Sequence, residues 1–168
     1  STIIDFTSDV PMILRPGYVN EKMLTPVIGE VAKDPAVFGE TVNGCPPKAP
    51  GMKYRHYAPK GSMTIVSGDR SRVIEYIRNK INEKPSGRRI GVLACSQDAL
   101  EYSGADMVFD LGRAENEIEI SSRLYDALRG CDEEKIDQIY SEEFDTPDLG
   151  LAIMNRLIKA AGHNIIKL

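Results

Sequence analysis

Cations and aromatic rings are concentrated in one short, proline-rich segment of the chain. Its chemistry rests on four consecutive residues, Tyr54, Arg55, His56 and Tyr57. No Asp or Glu occurs from Thr41 to Gly68. Guanidinium groups bind anions, and aromatic faces stack on cations and flat rings. The segment is interpreted either as a lid over an anionic or nucleotide ligand or as a linker whose tyrosines only pin it to a neighbouring surface.

The overall composition is that of an ordinary soluble protein. The chain has 168 residues, with 21 Lys and Arg against 25 Asp and Glu, a net charge of −4 and 42% hydrophobic residues. A negative net charge argues against a dedicated nucleic-acid binder, which must neutralise phosphates. Three scattered cysteines without CxxC spacing, Cys45, Cys95 and Cys131, predict reduced thiols, no metal site and a cytoplasmic location. No apolar run approaches the roughly 18 residues of a membrane span.

The first 62 residues divide into two parts. Residues 1–33 predict two strands and a helix that Asn20 caps, with a kink or break at Pro26. Two strands and one helix cannot bury a core, so this part is interpreted as the end of a larger domain. Residues 34–62 hold five of the ten prolines and predict an extended linker.

Residues 63–168 predict an α/β domain with a small, mostly parallel, Rossmann-like sheet and helices on both faces. Apolar runs that each precede a helical pattern are typical of parallel strands covered on both sides. The predicted strands are Met63–Ser67, Ile90–Cys95, Met107–Leu111, Ile136–Tyr140 and Asn164–Lys167. The predicted helices are Ser71–Lys84, Asp98–Tyr102, Glu115–Arg129 with Gly130 as its C-terminal cap, and one from Thr146-Pro147-Asp148 to Ala161.

The α/β part lacks the glycine-rich motifs that bind nucleotides and the motif of a nucleophile elbow. Polar residues follow two of its strands, at Ser67-Gly68-Asp69 and Cys95-Ser96-Gln97. Almost any parallel sheet offers such residues, so Cys95 is interpreted as inert packing and Glu142-Glu143 as a solvated face. The residues alone therefore favour a sensor, scaffold or interaction module.

Three stretches in a fixed order resemble the two-domain threonylcarbamoyl-AMP synthases. They are Ser1-Thr2-Ile3-Ile4-Asp5, Leu14-Arg15-Pro16-Gly17 and Ala49-Pro50-Gly51-Met52-Lys53-Tyr54-Arg55-His56-Tyr57-Ala58-Pro59. The first two resemble the closing strands of the family's α+β YrdC-like catalytic domain, and the third resembles its interdomain linker. Gly150–Leu157 is similar to the last helix of the family's C-terminal Rossmann-like domain.

The resemblance implies a nucleotidyltransferase that joins L-threonine, bicarbonate and ATP into threonylcarbamoyl-AMP and releases pyrophosphate, for tRNA modification. It implies that Ser1 contacts L-threonine, that Arg15 contacts ATP, and that Tyr54, Arg55, His56 and Tyr57 form the lid. No catalytic residue and no Mg²⁺ ligand is assigned to this chain, since Mg²⁺ would bind in the full-length enzyme. A downstream tRNA threonylcarbamoyl transferase machinery and a weak RNA contact through the missing domain are the further implied partners.

The chain is accordingly expected to be an inactive C-terminal fragment of such an enzyme. The alternative is a standalone Rossmann-like interaction or ligand-sensing module with a basic arm.

Overall fold

The computed structural model describes residues 1–38 and 58–168 and contains two sheets. The first is a three-stranded sheet in the order β1-β2-β3, and the second is a five-stranded sheet in the order β6-β5-β7-β4-β8. The proposed lid residues Tyr54, Arg55, His56 and Tyr57 lie outside the described residues.

The N-terminal unit is built around strand β2. Strand β1 (Ile3–Asp5) pairs antiparallel with β2 (Met12–Arg15), and the two-residue strand β3 (Ala32–Lys33) pairs parallel with β2. Helix α1 (Glu21–Ile28) begins as expected, because the Asn20 side chain accepts a hydrogen bond from the Met23 amide at 3.1 Å. The helix runs through Pro26 to Ile28, and β3 was too short to predict from a pattern.

The C-terminal unit confirms the predicted parallel sheet with helices on both faces. All four of its strand pairings are parallel. Its strands are β4 (Ser62–Ser67), β5 (Ile90–Ala94), β6 (Met107–Asp110), β7 (Gln138–Glu142) and β8 (Ile165–Lys167). Its helices are α2 (Arg70–Asn82), α3 (Glu117–Glu133) and α4 (Gly150–Ala160), with a short 3-10 turn at Ala99–Tyr102.

Two hydrophobic clusters lie on opposite faces of this sheet. Successive side chains of a strand point to opposite faces. In β4, Met63 and Ile65 accordingly join the cluster beneath α3 and α4, whereas Val66 joins the cluster beneath α2. The central strands β4 and β7 are therefore covered by a hydrophobic cluster on each face, which holds the ends of these strands in place.

Two predicted helix ends were wrong for packing reasons. Gly130 lies inside α3, where a Cβ would come within 2.8 Å of the Phe109 ring, so close packing rather than capping requires glycine. Helix α4 begins at Gly150 rather than near Thr146-Pro147-Asp148. The Glu117 carboxylate, on α3, accepts hydrogen bonds from the amides of Asp148 and Leu149. A neighbouring helix thus supplies an acceptor for amides that have no partner within α4.

Strand β7 spans Gln138–Glu142 rather than the predicted Ile136–Tyr140. The shift of two residues preserves which side chains face each cluster, since the strand period is two. It also moves the end of the strand onto Glu142. Among the described residues, no helix is long and apolar enough to cross a membrane.

We expect Gly61→Ala to destabilise the protein by about 1–2 kcal/mol, because it overpacks a close backbone contact. A Cβ at Gly61 would lie 2.3 Å from the carbonyl oxygen of Ile136, so β4 would have to move away from the start of β7. Urea denaturation measures the loss. The matched control is Lys60→Ala, an exposed neighbour whose backbone contact to Asp132 the substitution preserves. Equal stability of the two variants would contradict this account.

Candidate functional site

Ser1 and Arg15 lie side by side at one end of the N-terminal sheet. The antiparallel register pairs Ile3 with Arg15, and Arg15 Nε donates to the carbonyl oxygen of Ser1 at 3.1 Å. Ser1 is exposed and Arg15 is half-buried. The structure thus brings together two of the six predicted site residues, while their contacts with substrate stay predictions.

The turn after Arg15 holds this end of the sheet in place. A Cβ on Gly17 would come within 2.6 Å of the backbone of Ser1 and Thr2, so glycine is needed for the close approach. The Thr2 hydroxyl donates to the carbonyl oxygen of Val19 at 2.7 Å. The backbone that presents Ser1 is therefore fixed by the 16–19 segment on one side and by β2 on the other.

The N-terminal unit docks onto helix α4 and the loop before it. The buried side chain of Asn155 donates to the carbonyl oxygen of Val37 at 2.7 Å. Lys22 forms an ion pair with Asp148 at 2.5 Å, and the Asn20 side chain donates to the Asp148 carbonyl oxygen at 3.3 Å. These contacts place α4 beside the end of the sheet that holds Ser1 and Arg15.

Arg15 of β2 and Lys159 of α4 lie near each other where the two units dock. Burial lowers the pKa of Lys159, and the nearby charge of Arg15 lowers it further. Sequence reasoning missed Lys159, because only the docking of α4 brings it close to Arg15.

The end of the linker enters the α/β unit through fixed contacts. Pro59 is buried, the Lys60 amide donates to the Asp132 carboxylate at 2.7 Å, and the Ser62 amide donates to the Asp137 carbonyl oxygen at 2.9 Å. The predicted lid residues therefore lie only a few positions before an anchored point of the chain.

A second polar group lies at the carboxyl ends of β5 and β7, where parallel sheets commonly bind ligands. The prediction of a solvated face is wrong for Glu142, which is 7% exposed. Its carboxylate accepts hydrogen bonds from the Cys95 amide at 2.9 Å and from the Tyr102 hydroxyl at 2.7 Å. Burial nevertheless raises the pKa of Glu142 to about 7, and the neighbouring Asp98 carboxylate adds to the rise.

The side-chain hydrogen-bond donors at this edge of the sheet are already paired with carboxylates of the protein. Arg70 pairs with the buried Asp98 carboxylate, and the Ser67 hydroxyl donates to Glu143. The Ser96 hydroxyl donates to Asp110 at 2.6 Å and is the main cause of that carboxyl's lowered pKa. Acidic groups dominate this edge, so it is poorly suited to phosphate.

Neither a thiol nucleophile nor a metal centre is built at this edge. Burial raises the pKa of Cys95 to about 12, so the thiol stays protonated at neutral pH, as expected of a packing residue. Within residues 1–38 and 58–168, no group of three or more His, Cys, Asp or Glu side chains is arranged to hold a metal ion.

Comparison with known proteins relates the whole chain to one family. The family model described as "Threonylcarbamoyl-AMP synthase, C-terminal domain" matches residues 19–162. The chain is 40% identical to the threonylcarbamoyl-AMP synthase of Bacillus subtilis and 43% identical to that of Pyrococcus abyssi, in each case over 99% of its own length. It covers 46% and 47% of those proteins, so it spans about half the length of the curated relatives it matches.

Solved structures give the same result. The crystal structure of P. abyssi Sua5 complexed with L-threonine superposes with a TM-score of 0.84 at 43% identity, over 100% of this chain and 47% of that one. A C-terminal Sua5 domain from Pyrococcus horikoshii is covered completely by 66% of this chain, with a TM-score of 0.52 and 33% identity.

Proposed function

Because the chain belongs to the threonylcarbamoyl-AMP synthase C-terminal domain family, we propose that it is part of an L-threonylcarbamoyladenylate synthase. The observation that supports this most is the 40–43% identity to curated synthases across 99% of the chain. A standalone interaction or sensing module is not favoured, because the likeness to whole synthases also takes in residues 1–33, ahead of the α/β unit.

The proposed reaction makes an anhydride from three substrates. The amine of L-threonine attacks the carbon of bicarbonate, a C–O bond breaks and water leaves, which gives a carbamate whose oxygen attacks the α-phosphorus of ATP. The bond from the α-phosphorus to the bridging oxygen breaks, and pyrophosphate leaves with the electron pair. Negative charge grows on the phosphate oxygens as this happens, so fixed cations lower the barrier.

We assign the binding of L-threonine to Ser1 and the binding of ATP to Arg15. The Ser1 hydroxyl would bind L-threonine or its carbamate, consistent with the complex of P. abyssi Sua5 with L-threonine. The Arg15 guanidinium would bind phosphate oxygens of ATP through its planar pair of donors. Their adjacency supports this assignment: Arg15 Nε lies 3.1 Å from the Ser1 carbonyl oxygen, so residues that bound the amino acid and the nucleotide would lie at the same end of the sheet.

Mg²⁺ and RNA would be bound by parts of the enzyme other than Ser1 and Arg15. Mg²⁺ is expected to neutralise phosphate charge, but the described residues form no suitable ligand group for it. We place the enzyme in the cytoplasm, where its product would pass to the tRNA threonylcarbamoyl transferase machinery. The RNA contact is assigned to the other half of the enzyme.

The experiment that tests this function uses the gene product that carries the sequence, at its natural length. We expect pyrophosphate release that depends on both L-threonine and bicarbonate. Release that continues without threonine, or no release from a folded natural-length protein, would contradict the proposal. The 168-residue chain by itself is expected to be inactive in the same assay.

We further propose that Tyr54, Arg55, His56 and Tyr57 close over the site as a lid. A carbamate hydrolyses readily in water, so the site benefits from excluding solvent. We expect Arg55→Ala and Tyr57→Ala to lower kcat and the apparent affinity for ATP or bicarbonate by roughly tenfold. Their melting temperatures should stay close to the wild-type value, because substitutions away from a packed core rarely cost more than about 0.5 kcal/mol, and the sequence predicts that this segment belongs to neither core.

The control for the lid is Lys48→Ala, which removes a cation from the same acid-free segment but outside the aromatic cluster. If Arg55→Ala keeps wild-type turnover, or loses activity only in proportion to a lowered melting temperature, the segment is a tether and the lid is ruled out.

A further inference from the structure

A cavity of about 390 Å³ lies at the amino ends of the parallel strands, at the opposite edge of the sheet from Glu142. Small-molecule sites commonly enclose about 300–1,000 Å³. The lining of the cavity includes the first residues of β4, β5 and β7, which are Ser62, Ile90 and Gln138. The strand pairing places Ser62 and Ile90 on either side of Gln138, so the three residues form one row across the sheet.

Tyr140 is a nearly buried polar side chain that lines this cavity without a hydrogen-bond partner. It lies two positions after Gln138 on β7 and therefore on the same face of the sheet. The residue is 8% exposed, and its hydroxyl forms no hydrogen bond with any described residue. Within residues 1–38 and 58–168, only Thr146 has a fully enclosed side-chain oxygen or nitrogen without a partner, so the Tyr140 hydroxyl is open to the cavity.

Two further neutral groups of the lining have unused hydrogen-bonding capacity. The Gln138 side chain donates through Nε2 to the Thr64 hydroxyl at 3.3 Å, and its Oε1 accepts no hydrogen bond from a described residue. The Ser62 amide donates to the backbone of Asp137, whereas the exposed Ser62 hydroxyl has no partner among the described side chains. Polar groups that fold into a cavity without partners gain a hydrogen bond when a ligand enters.

The charged groups around the cavity are already paired with one another. Lys80 Nζ lies 2.8 Å from the Glu83 carboxylate at the end of α2, and the Arg88 guanidinium lies 3.1 Å from the Asp137 carboxylate. Two cations and two carboxylates leave the lining formally neutral. A ligand with a net charge would therefore have to displace one member of an ion pair, whereas a neutral ligand would not.

We propose that this cavity binds an uncharged, hydrogen-bonding heterocycle of the nucleobase or nucleoside class. Such a molecule carries donors and acceptors around the edge of a flat apolar ring. The edge matches the unpaired groups of Tyr140, Gln138 and Ser62, and the ring matches the apolar surfaces of Ile90 and Pro85.

The cavity is separate from the site that holds Ser1 and Arg15. Tyr140 and Ile90 belong to the hydrophobic cluster beneath α2, which covers one face of the sheet. The N-terminal unit docks onto α4, and α4 covers the other face. The proposed site therefore goes beyond the synthase function and gives the α/β unit a ligand of its own.

Calorimetry on the natural-length gene product tests this site. The protein is first saturated with α,β-methylene-ATP, which fills the proposed active site and cannot release pyrophosphate. Adenosine, guanosine, cytidine and uridine are then titrated separately. We expect at least one of them to bind the wild type, and Tyr140→Phe to weaken that binding by roughly three- to tenfold, as for the loss of one hydrogen bond. Adding Ser62→Ala should weaken it further.

The matched control is Tyr76→Phe, which also removes one phenolic hydroxyl, but from a residue of α2 that does not line the cavity. It should keep the wild-type affinity for the nucleoside. Glycine betaine and inorganic phosphate, a zwitterion and an anion, should show no binding that depends on Tyr140. These probes separate a neutral heterocycle from a charged ligand.

Four outcomes would overturn the inference: no binding of any of the four nucleosides, unchanged affinity in Tyr140→Phe, equal weakening by Tyr76→Phe, or Tyr140-dependent binding of glycine betaine or phosphate instead. The proposed function can fail separately. Tyr140→Phe should leave threonine-dependent pyrophosphate release unchanged, because the residue lies outside the proposed active site. A protein that binds a nucleoside through Tyr140 but shows no such release would keep this site and refute the synthase.

Discussion

Replacing Arg15 by alanine is expected to lower threonine-dependent pyrophosphate release by the natural-length protein roughly 10²–10³-fold, the usual effect of losing one donor aimed at developing charge. The side chain is positioned by strand pairing and by its bond to the Ser1 carbonyl oxygen. A guanidinium held there loses little entropy when it binds phosphate. We expect the effect mainly on kcat, because charge on the phosphates grows toward the transition state.

Folding should be almost unaffected by the same substitution. The bond from Arg15 Nε to Ser1 lies at the exposed end of a sheet, so its loss should cost less than about 1 kcal/mol in the free energy of unfolding. The control is Arg72→Ala, an exposed arginine on α2. Arg15→Ala with more than a tenth of wild-type turnover would remove Arg15 from the nucleotide site. Loss of activity together with a large fall in melting temperature would instead indicate a structural role.

The second large effect concerns the dependence of stability on pH. Folding raises the pKa of Glu142 from its ordinary value of 4.5 to about 7, so the folded protein prefers the protonated carboxyl. Its stabilising contribution is complete below about pH 4.5 and is lost as pH rises through about 7. A rise of this size corresponds to roughly 3 kcal/mol, at about 1.4 kcal/mol for each pH unit.

Glu142→Gln isolates this contribution, because glutamine keeps the shape and stays neutral. We expect the free energy of unfolding of the wild type to fall relative to the variant by roughly 3 kcal/mol between about pH 5 and pH 8. Urea denaturation at several pH values measures it. Asp98, Tyr102, Cys95 and Arg70 surround the carboxyl and are present in both proteins, so their titration largely cancels.

The control for this measurement is Glu75→Gln, at an exposed position on α2. Its stability should follow the wild type at every pH. A constant difference between wild type and Glu142→Gln across the range would show that Glu142 titrates normally and would contradict the burial argument.

Patterns in the sequence predicted the architecture well because they report directly on burial. Apolar runs found all five strands of the α/β unit, although β7 is shifted by two residues. Boundaries failed where a distant residue decides them. The Glu117 carboxylate, on α3, accepts a hydrogen bond from the Leu149 amide at the start of α4. Helix α3 continues through Gly130, where the Phe109 ring packs too closely for any larger residue. Neither contact leaves a local signal.

The candidate site was predictable only in part for the same reason. Ser1 and Arg15 could be proposed because they lie in stretches that resemble a known family. Lys159 looks like an ordinary solvated charge until α4 docks beside Arg15. Glu142 is the last residue of β7, but the Asp98 carboxylate that adds to its raised pKa is more than forty positions away.

The strand order of the parallel sheet has a consequence for synthesis on the ribosome. Strand β4 is the first of the sheet to be made, yet it pairs only with β7 and β8, and Ser62 meets Gln138 about 75 residues later. At roughly 5–20 residues per second, β4 has no partner strand for about 4–15 s. Its apolar residues Met63, Ile65 and Val66 stay without their sheet for that time. Nascent chains stalled before residue 138 should therefore be the species most dependent on chaperones.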